Sequence, residues 1–287
     1  MDDKRTAPGF GLIMKRFLQR LFRHLGLEVR QRRGKARTHL GPDRDSLQGV
    51  LRQISEAGFH PATVIDVGAA MGMFTRTCHS VFPTASYLLI EPLQEYLPSL
   101  TQIAKDIPRS QFELAVAAAG DGPTMLNVHQ DLLGSSLYQE TEEGSDVNGA
   151  PRQVQAIRLD QWVKEQGGIP PYLVKIDVQG AELDVLEGGQ ATLAAAEVVL
   201  LEVSLFHFFQ HGPVFHDVLD YMRARGFVPY DFLGHQYRPI DDALSQVDVV
   251  FVKEDGRLRQ IHSYATPEQR KQQNQQFRST ILSDLSK

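Results

Sequence analysis

Two carboxylates stand where short apolar runs end. Asp66 closes Thr63-Val64-Ile65 and lies two residues before the turn Gly68-Ala69-Ala70-Met71-Gly72, behind which Phe74, Cys78 and Val81 recur at helical spacing. Glu91, followed by Pro92, closes Tyr87-Leu88-Leu89-Ile90. Strand, glycine turn and helix in that order make the first unit of an α/β sheet, and the N–H groups that open the helix form a positive end. The dinucleotide pattern G-x-G-x-x-G is not met, because its second and third glycines are replaced by Ala70 and Met73. An acid just ahead of the first glycine suits a cationic amino-acid ligand better than a pyrophosphate. A carboxylate at Glu91 can accept both hydroxyls of a ribose. The pair fits a site for S-adenosylmethionine; the plainer alternative is an acid that ends a strand and binds nothing.

A second stretch is denser still. Leu173-Val174-Lys175-Ile176 reads as a buried strand interrupted by a lysine, Asp177-Val178-Gln179-Gly180 as a turn, and Ala181–Glu187 as a helix closed by Gly188-Gly189. Ligands of open parallel sheets bind beyond the carboxyl ends of the strands. Asp177, Gln179 and Glu182 are therefore expected near the loop at Gly68. Asp177 is the first candidate for a general base, or for a ligand of a divalent ion. Glu202, near the end of the apolar run 197–203, is placed beside it, and His207 is the rival base, with an ordinary pKa near neutrality. Oxygen ligands of this kind suit magnesium, although two separated carboxylates do not define a metal site. Phe206, Phe208 and Phe209 follow Glu202 and suit either a flat sugar ring or the core.

The elements that hold these residues follow from periodicity. Ser46–Gly58 is expected to be a helix with Leu47, Val50, Leu51 and Ile54 inward, and Gln94–Ala104 another. Phe112–Ala118 reads as a third strand, Thr124–His129 as a further one, and 134–150 as a loop suited to a lid. Arg152–Leu159 alternates as a strand and leads into a helix containing Asp160 and Trp162. Val214–Arg225 is a helix, and Phe227–Phe232 with Val247–Val252 reads as an antiparallel pair. Thr266-Pro267-Glu268-Gln269 opens a last helix with a capping box, and its Gln-rich continuation is either exposed or used for self-association.

Charge is divided along the chain. The 287 residues carry a net charge of −5, so nothing global suggests nucleic acid. Residues 1–44 alone hold 12 Lys and Arg against 4 Asp and Glu, or +8, leaving −13 for the rest. Within that arm, 10–27 is a basic amphipathic helix suited to an anionic membrane surface, to the body, or to a second subunit. The domain organisation expected is an arm (1–44), a catalytic domain (45–256) and a polar C-terminal helix (257–287). Cys78 is the single cysteine, which excludes an internal disulfide framework. No apolar run is long enough to cross a bilayer, and the acidic start does not read as a secretory signal. A cytoplasmic protein, peripheral at most at the inner membrane face, is expected. Zinc spacings, a Gly-x-Ser-x-Gly elbow and a P-loop are missing from the sequence.

Asp66-Val-Gly-Ala69-x-x-Gly72, Glu91-Pro92, Gly134-Ser135-Ser136-Leu137, Leu159-Asp160 and above all Lys175-Ile-Asp-Val-Gln-Gly-Ala-Glu-Leu-Asp-Val-Leu-Glu-Gly188 resemble the FkbM-type methyltransferases. Leu201-Glu-Val-Ser204 and Val247-Asp-Val-Val-Phe-Val252 are similar too, so the likeness runs from about Thr63 to Lys253. It implies a doubly wound, mostly parallel seven-stranded Rossmann-like sheet with a C-terminal antiparallel hairpin. It also implies S-adenosylmethionine as cofactor and O-methylation of a hydroxyl, commonly on a sugar in a glycan or natural product. Asp66, Gly68, Ala69, Gly72, Glu91, Pro92, Ser135 and Ser136 then become the expected cofactor contacts. The family usually carries Asn at the position of Ala70. Two other classes stay open at this point: a nucleotide-dependent oxidoreductase, and a non-catalytic cofactor-retaining module anchored by its basic arm.

Overall fold

The computed structural model describes residues 44–285. The amphipathic stretch 10–27 and the basic linker behind it lie outside the described residues. Helix α1 (Leu47–Glu56) starts at Ser46, whose hydroxyl accepts the Gly49 N–H, and turns Val50, Leu51 and Ile54 inward. It is followed by β1 (Thr63–Val67), α2 (Met73–Val81), β2 (Ser86–Ile90), α3 (Leu97–Asp106) and β3 (Ser110–Glu113). Next come β4 (Val116–Ala117), β5 (Gly122–Val128), the short α4 (Ser145–Asn148) and β6 (Ala150–Ile157). The second half holds α5 (Leu159–Glu165), β7 (Tyr172–Ile176), α6 (Glu182–Glu187), α7 (Gln190–Ala195) and β8 (Ala196–Ser204). It closes with α8 (Phe215–Arg223), β9 (Phe227–Tyr237), β10 (Leu244–Lys253) and α9 (Pro267–Leu285).

The main sheet has seven strands in the order β3-β2-β1-β7-β8-β10-β9. All neighbours from β3 to β8 are parallel, and β10 runs antiparallel to both β8 and β9. The period of two along each strand divides the core into two layers. Val64, Leu89, Leu173, Val198 and Val250 meet Val50 and Leu51 of α1, Phe74 and Cys78 of α2, and Leu100 and Ile103 of α3. Ile65, Ile90, Val174, Leu201 and Val249 meet Trp162 of α5, Val185 of α6, Leu193 of α7 and Met222 of α8. Each such fully buried aliphatic side chain contributes about 1.5–3 kcal/mol over an exposed one. Helices cover both faces, which is why the central strands are continuous apolar runs.

Two differences from the sequence expectation concern the edges. Phe112–Ala118 is two strands: Glu113 ends β3 beside Ile90, and Val116-Ala117 joins a separate three-stranded sheet, β4-β6-β5. An apolar pattern on either side of Leu114 does not show that the chain changes sheet there. The hairpin strands β9 and β10 run longer than their apolar cores, because polar residues extend the pairing to Tyr237 and Leu244. Helix α9 forms with the expected capping box, Thr266 N–H to Gln269 Oε1 and Gln269 N–H to Thr266 Oγ1, and none of its described residues is buried.

Candidate active site

The carboxyl ends of β1, β2, β7 and β8 share one edge of the sheet, where the antiparallel β10 begins. A cavity of about 320 Å³ opens there between the turn Gly68-Ala69-Ala70 and the carboxylates Asp177, Glu202 and Asp248. The turn is shaped by three left-handed residues, Gly68, Ala70 and Gly72, at φ +74°, +46° and +73°. A Cβ on Gly68 would overlap the carbonyl oxygen of Asp177, so only glycine allows the β1 and β7 loops to touch. The Gly68 and Ala69 N–H groups donate to Ile90 O at 2.9 and 3.1 Å, and the Asp177 N–H donates to Val67 O at 3.1 Å. Asparagine tolerates the left-handed region better than alanine, which gives the family's usual residue at position 70 a backbone reason.

Lys175 is the hub. Its Nζ donates to Gly68 O at 2.8 Å and lies 3.2 Å from Asp177 Oδ2 and 3.6 Å from Asp66 Oδ1. Burial alone would lower its pKa, but Asp177 and Asp66 outweigh that and hold the ammonium well above its ordinary value. Glu202 accepts three amide donors: Gln179 at 2.6 Å, Gln236 at 2.8 Å and Gln246 at 3.0 Å. Gln179 Nε2 also donates to Asp177 Oδ1 at 2.9 Å and so bridges the two acids. Burial, followed by Asp177 and Asp248, pushes the Glu202 carboxyl well up. Burial and Asp177 raise Asp248 to about 6. Glu182 closes the turn from below by accepting the Val178 and Gly180 N–H groups, and burial lifts it to about 7.

These raised carboxyls set a pH dependence. A carboxyl whose pKa is higher in the fold than the unfolded 3.8 of Asp248 or 4.5 of Glu182 favours the fold in its protonated form. Its contribution is complete below the unfolded value and is lost as pH rises through about 6 for Asp248 and about 7 for Glu182. The urea midpoint of the ligand-free protein is expected to fall from about pH 5 to pH 8, and Asp248→Asn should flatten that decline. A midpoint that rises across this range would contradict the assignment.

The other expected site residues fall into distinct places. Asp66 does not reach the cavity. It is 0% exposed, and its Oδ2 accepts the Thr75 hydroxyl at 2.7 Å beneath the turn. Its position on the strand points it, with Val64, toward α2. Glu91 is 4% exposed and already accepts Ala70 N–H at 2.8 Å and Leu93 N–H at 2.9 Å, so it fixes the turn's shape. Gly68 and Ala69 line the cavity, whereas Gly72 packs against Ile103 at the start of α2. Pro92 faces a separate depression beside Arg152. Ser136 donates to Gln179 O at 2.6 Å and Ser135 accepts the His129 N–H at 3.1 Å, so both secure loops. The 134–150 segment is tied down further by Tyr138 to Asp184 and by Thr141 N–H to Phe208 O.

His207 is exposed and is not part of the cavity wall. The aromatic run does not line it either: Phe209 packs against Gly180, and Phe206 lies under the Arg238 guanidinium at 3.9 Å. Lys175 carries a signal in the sequence as a charge interrupting an apolar strand, and Asp248 only as part of the stretch Val247–Val252. Gln236 and Gln246 carry no signal in the sequence, since their convergence on Glu202 depends on hairpin register.

A doubly wound sheet with an acid-walled cavity over the switch between β1 and β7 is the frame of a Rossmann-like ligand-binding enzyme. The methyltransferase FkbM domain model matches residues 66–229, and the chain belongs to that family. It is 30% identical over 171 residues to the 2-O-methyltransferase NoeI of Sinorhizobium fredii, covering 54% of this chain and 69% of that protein. It is 25% identical over 157 residues to the hexuronic acid methyltransferase AglP of Haloferax volcanii, covering 54% of this chain and 62% of that one. Among solved structures, the FkbM methyltransferase of Methylobacillus flagellatus aligns at 15% identity and a TM-score of 0.39, over 66% of this chain and 43% of the other.

Proposed function

We propose that the chain is an S-adenosylmethionine-dependent O-methyltransferase acting on a sugar hydroxyl, in a glycan or a glycosylated natural product. The observation that carries this reading is the cavity between the Gly68 turn and Asp177, in a family whose members matched here are named for 2-O-methylation and for a hexuronic acid. The donor set fits the cofactor: three carboxylates and one lysine line the cavity, a surplus of negative charge suited to a ligand cationic at its sulfonium and ammonium. When bound, that cofactor supplies an electrophilic methyl on a leaving group that departs unaided. The chain's share is then position and proton transfer. The turn Gly68–Ala70 and Glu91 hold the cofactor side, with Asp66 and Lys175 keeping the turn in place. Asp177, pinned by Lys175 and Gln179, takes the proton of the acceptor hydroxyl. Mass spectrometry of native glycans with and without the protein tests the reading; a gain of one CH₂ supports it, and its absence from every glycan fraction overturns it.

Glu91→Ala is expected to weaken cofactor binding about tenfold or more, because it removes the hydrogen bonds to Ala70 and Leu93 N–H that shape the turn, each to a charged group and worth roughly 1.5–3 kcal/mol. Unchanged affinity by calorimetry in a folded variant would remove Glu91 from the site. The basic amphipathic stretch 10–27 supports a second part of the reading, peripheral contact at the inner face of an anionic membrane. Binding to anionic vesicles should fall with salt. No binding at low salt would make the stretch a packing or dimerisation element. No described helix is long and apolar enough to cross a membrane.

A further inference from the structure

The wall facing the cavity from β7, β8 and β10 carries three carboxylates, Asp177, Glu202 and Asp248, against one ammonium, Lys175. That ammonium is already committed: it contacts Asp177, the buried Asp66 and Gly68 O. No arginine is among the described residues that line the cavity. Resting on the sugar-methyltransferase reading, we propose that the acceptor site selects a neutral or amino sugar and rejects one bearing a carboxylate, sulfate or phosphate on the methylated ring.

The argument is one of donors, acceptors and charge. Ionised carboxylates only accept hydrogen bonds, and sugar hydroxyls and ammonium groups donate them. The glutamines reinforce the pattern: Gln179, Gln236 and Gln246 turn their N–H donors onto Glu202, away from the acceptor. Asp248 lies directly across from Glu202 in the β8–β10 register, and because the Glu202 carboxyl is pushed well up, Asp177 and Asp248 carry the negative charge of this face. Burial, followed by the Asp177 carboxylate, raises the Asp248 carboxyl to about 6. An acceptor carboxylate would meet the same repulsion with no free cation among the described lining residues to offset it. Juxtaposed like charges are an effective device for rejecting a wrong partner.

The test uses the full-length chain, labelled S-adenosylmethionine and a glycan array in which each uronic-acid member is paired with its carboxyl-reduced, neutral counterpart, together with amino-sugar members. The kcat/KM for the neutral partner is expected to exceed that for the uronate by about a hundredfold or more, the scale of several kcal/mol of like-charge repulsion. Asp248→Asn should shrink that ratio roughly tenfold. The ratio is read within each variant, so an overall loss of activity cancels. Uronates labelled as well as their neutral partners would overturn the proposal, as would a ratio untouched by Asp248→Asn. Label on no glycan at all would instead bring down the sugar reading and this proposal with it.

Discussion

Lys175→Met is expected to destabilise the fold by about 3–5 kcal/mol, the usual effect of removing one partner of a buried ion pair. The ammonium holds three groups at once: Gly68 O, Asp177 and Asp66. Methionine fills similar space but leaves Asp66, which is 0% exposed, with the Thr75 hydroxyl as its remaining hydrogen-bond partner. Gly68 O loses its donor as well. Urea unfolding at neutral pH measures the loss. It should shrink in mild acid, where Asp66 takes up a proton, and the double variant Lys175→Met/Asp66→Asn should recover much of the stability without recovering methyl transfer. A loss under about 1 kcal/mol at neutral pH would mean that the pair is not the brace described here.

The second large effect is on rate. Asp177→Asn is nearly isosteric and keeps an oxygen for Gln179, but it cannot take a proton from a hydroxyl. General-base contributions are typically 10²–10⁴-fold, so kcat should fall by about that factor with cofactor affinity nearly intact. His207→Ala, outside the cavity wall, is the matched control and should change turnover little. Activity abolished by EDTA in the wild type would replace the base role with metal ligation, and among the described residues no cluster of three metal-ligating side chains supports that outcome. Near-normal turnover in Asp177→Asn would leave the residue as a shaper of the turn and direct attention to Asp248.

Much of this arrangement was legible from local sequence. The turn at Gly68 and the block from Lys175 to Gly188 each combine a strand end, glycines and a helix start, and signals of that kind are short-range. They place Asp177 and Glu202 on the same rim. Side-chain direction was harder. Asp66 sits two residues before a glycine turn, which looks like a ligand position, yet the pleat of β1 turns it under the sheet toward Thr75. Ser135 and Ser136 belong to a recognisable motif and still act on loops: Ser135 accepts the nearby His129 N–H, and the partner of Ser136, Gln179 O, lies 43 residues away and is not written locally. The role of Asp248 depends on β10 lying antiparallel to β8 in one register. A shift of one residue would turn it to the other face. Phe112–Ala118 shows the same limit at the level of strands, since both halves are apolar and only tertiary pairing separates them.

The close approach of Gly68 to the Asp177 carbonyl has a mechanical meaning. The β1 and β7 loops touch backbone to backbone, are joined by the Asp177 N–H to Val67 O bond at 3.1 Å, and are clamped by Lys175 across the gap. Two loops so interlocked move as one body. On the proposed reading, an adjustment of the Gly68 loop on cofactor binding would be passed to Asp177 with no intervening hinge. Cofactor and acceptor binding would then be linked, and reciprocally so: slowed amide exchange is expected to spread across both loops when either ligand binds alone.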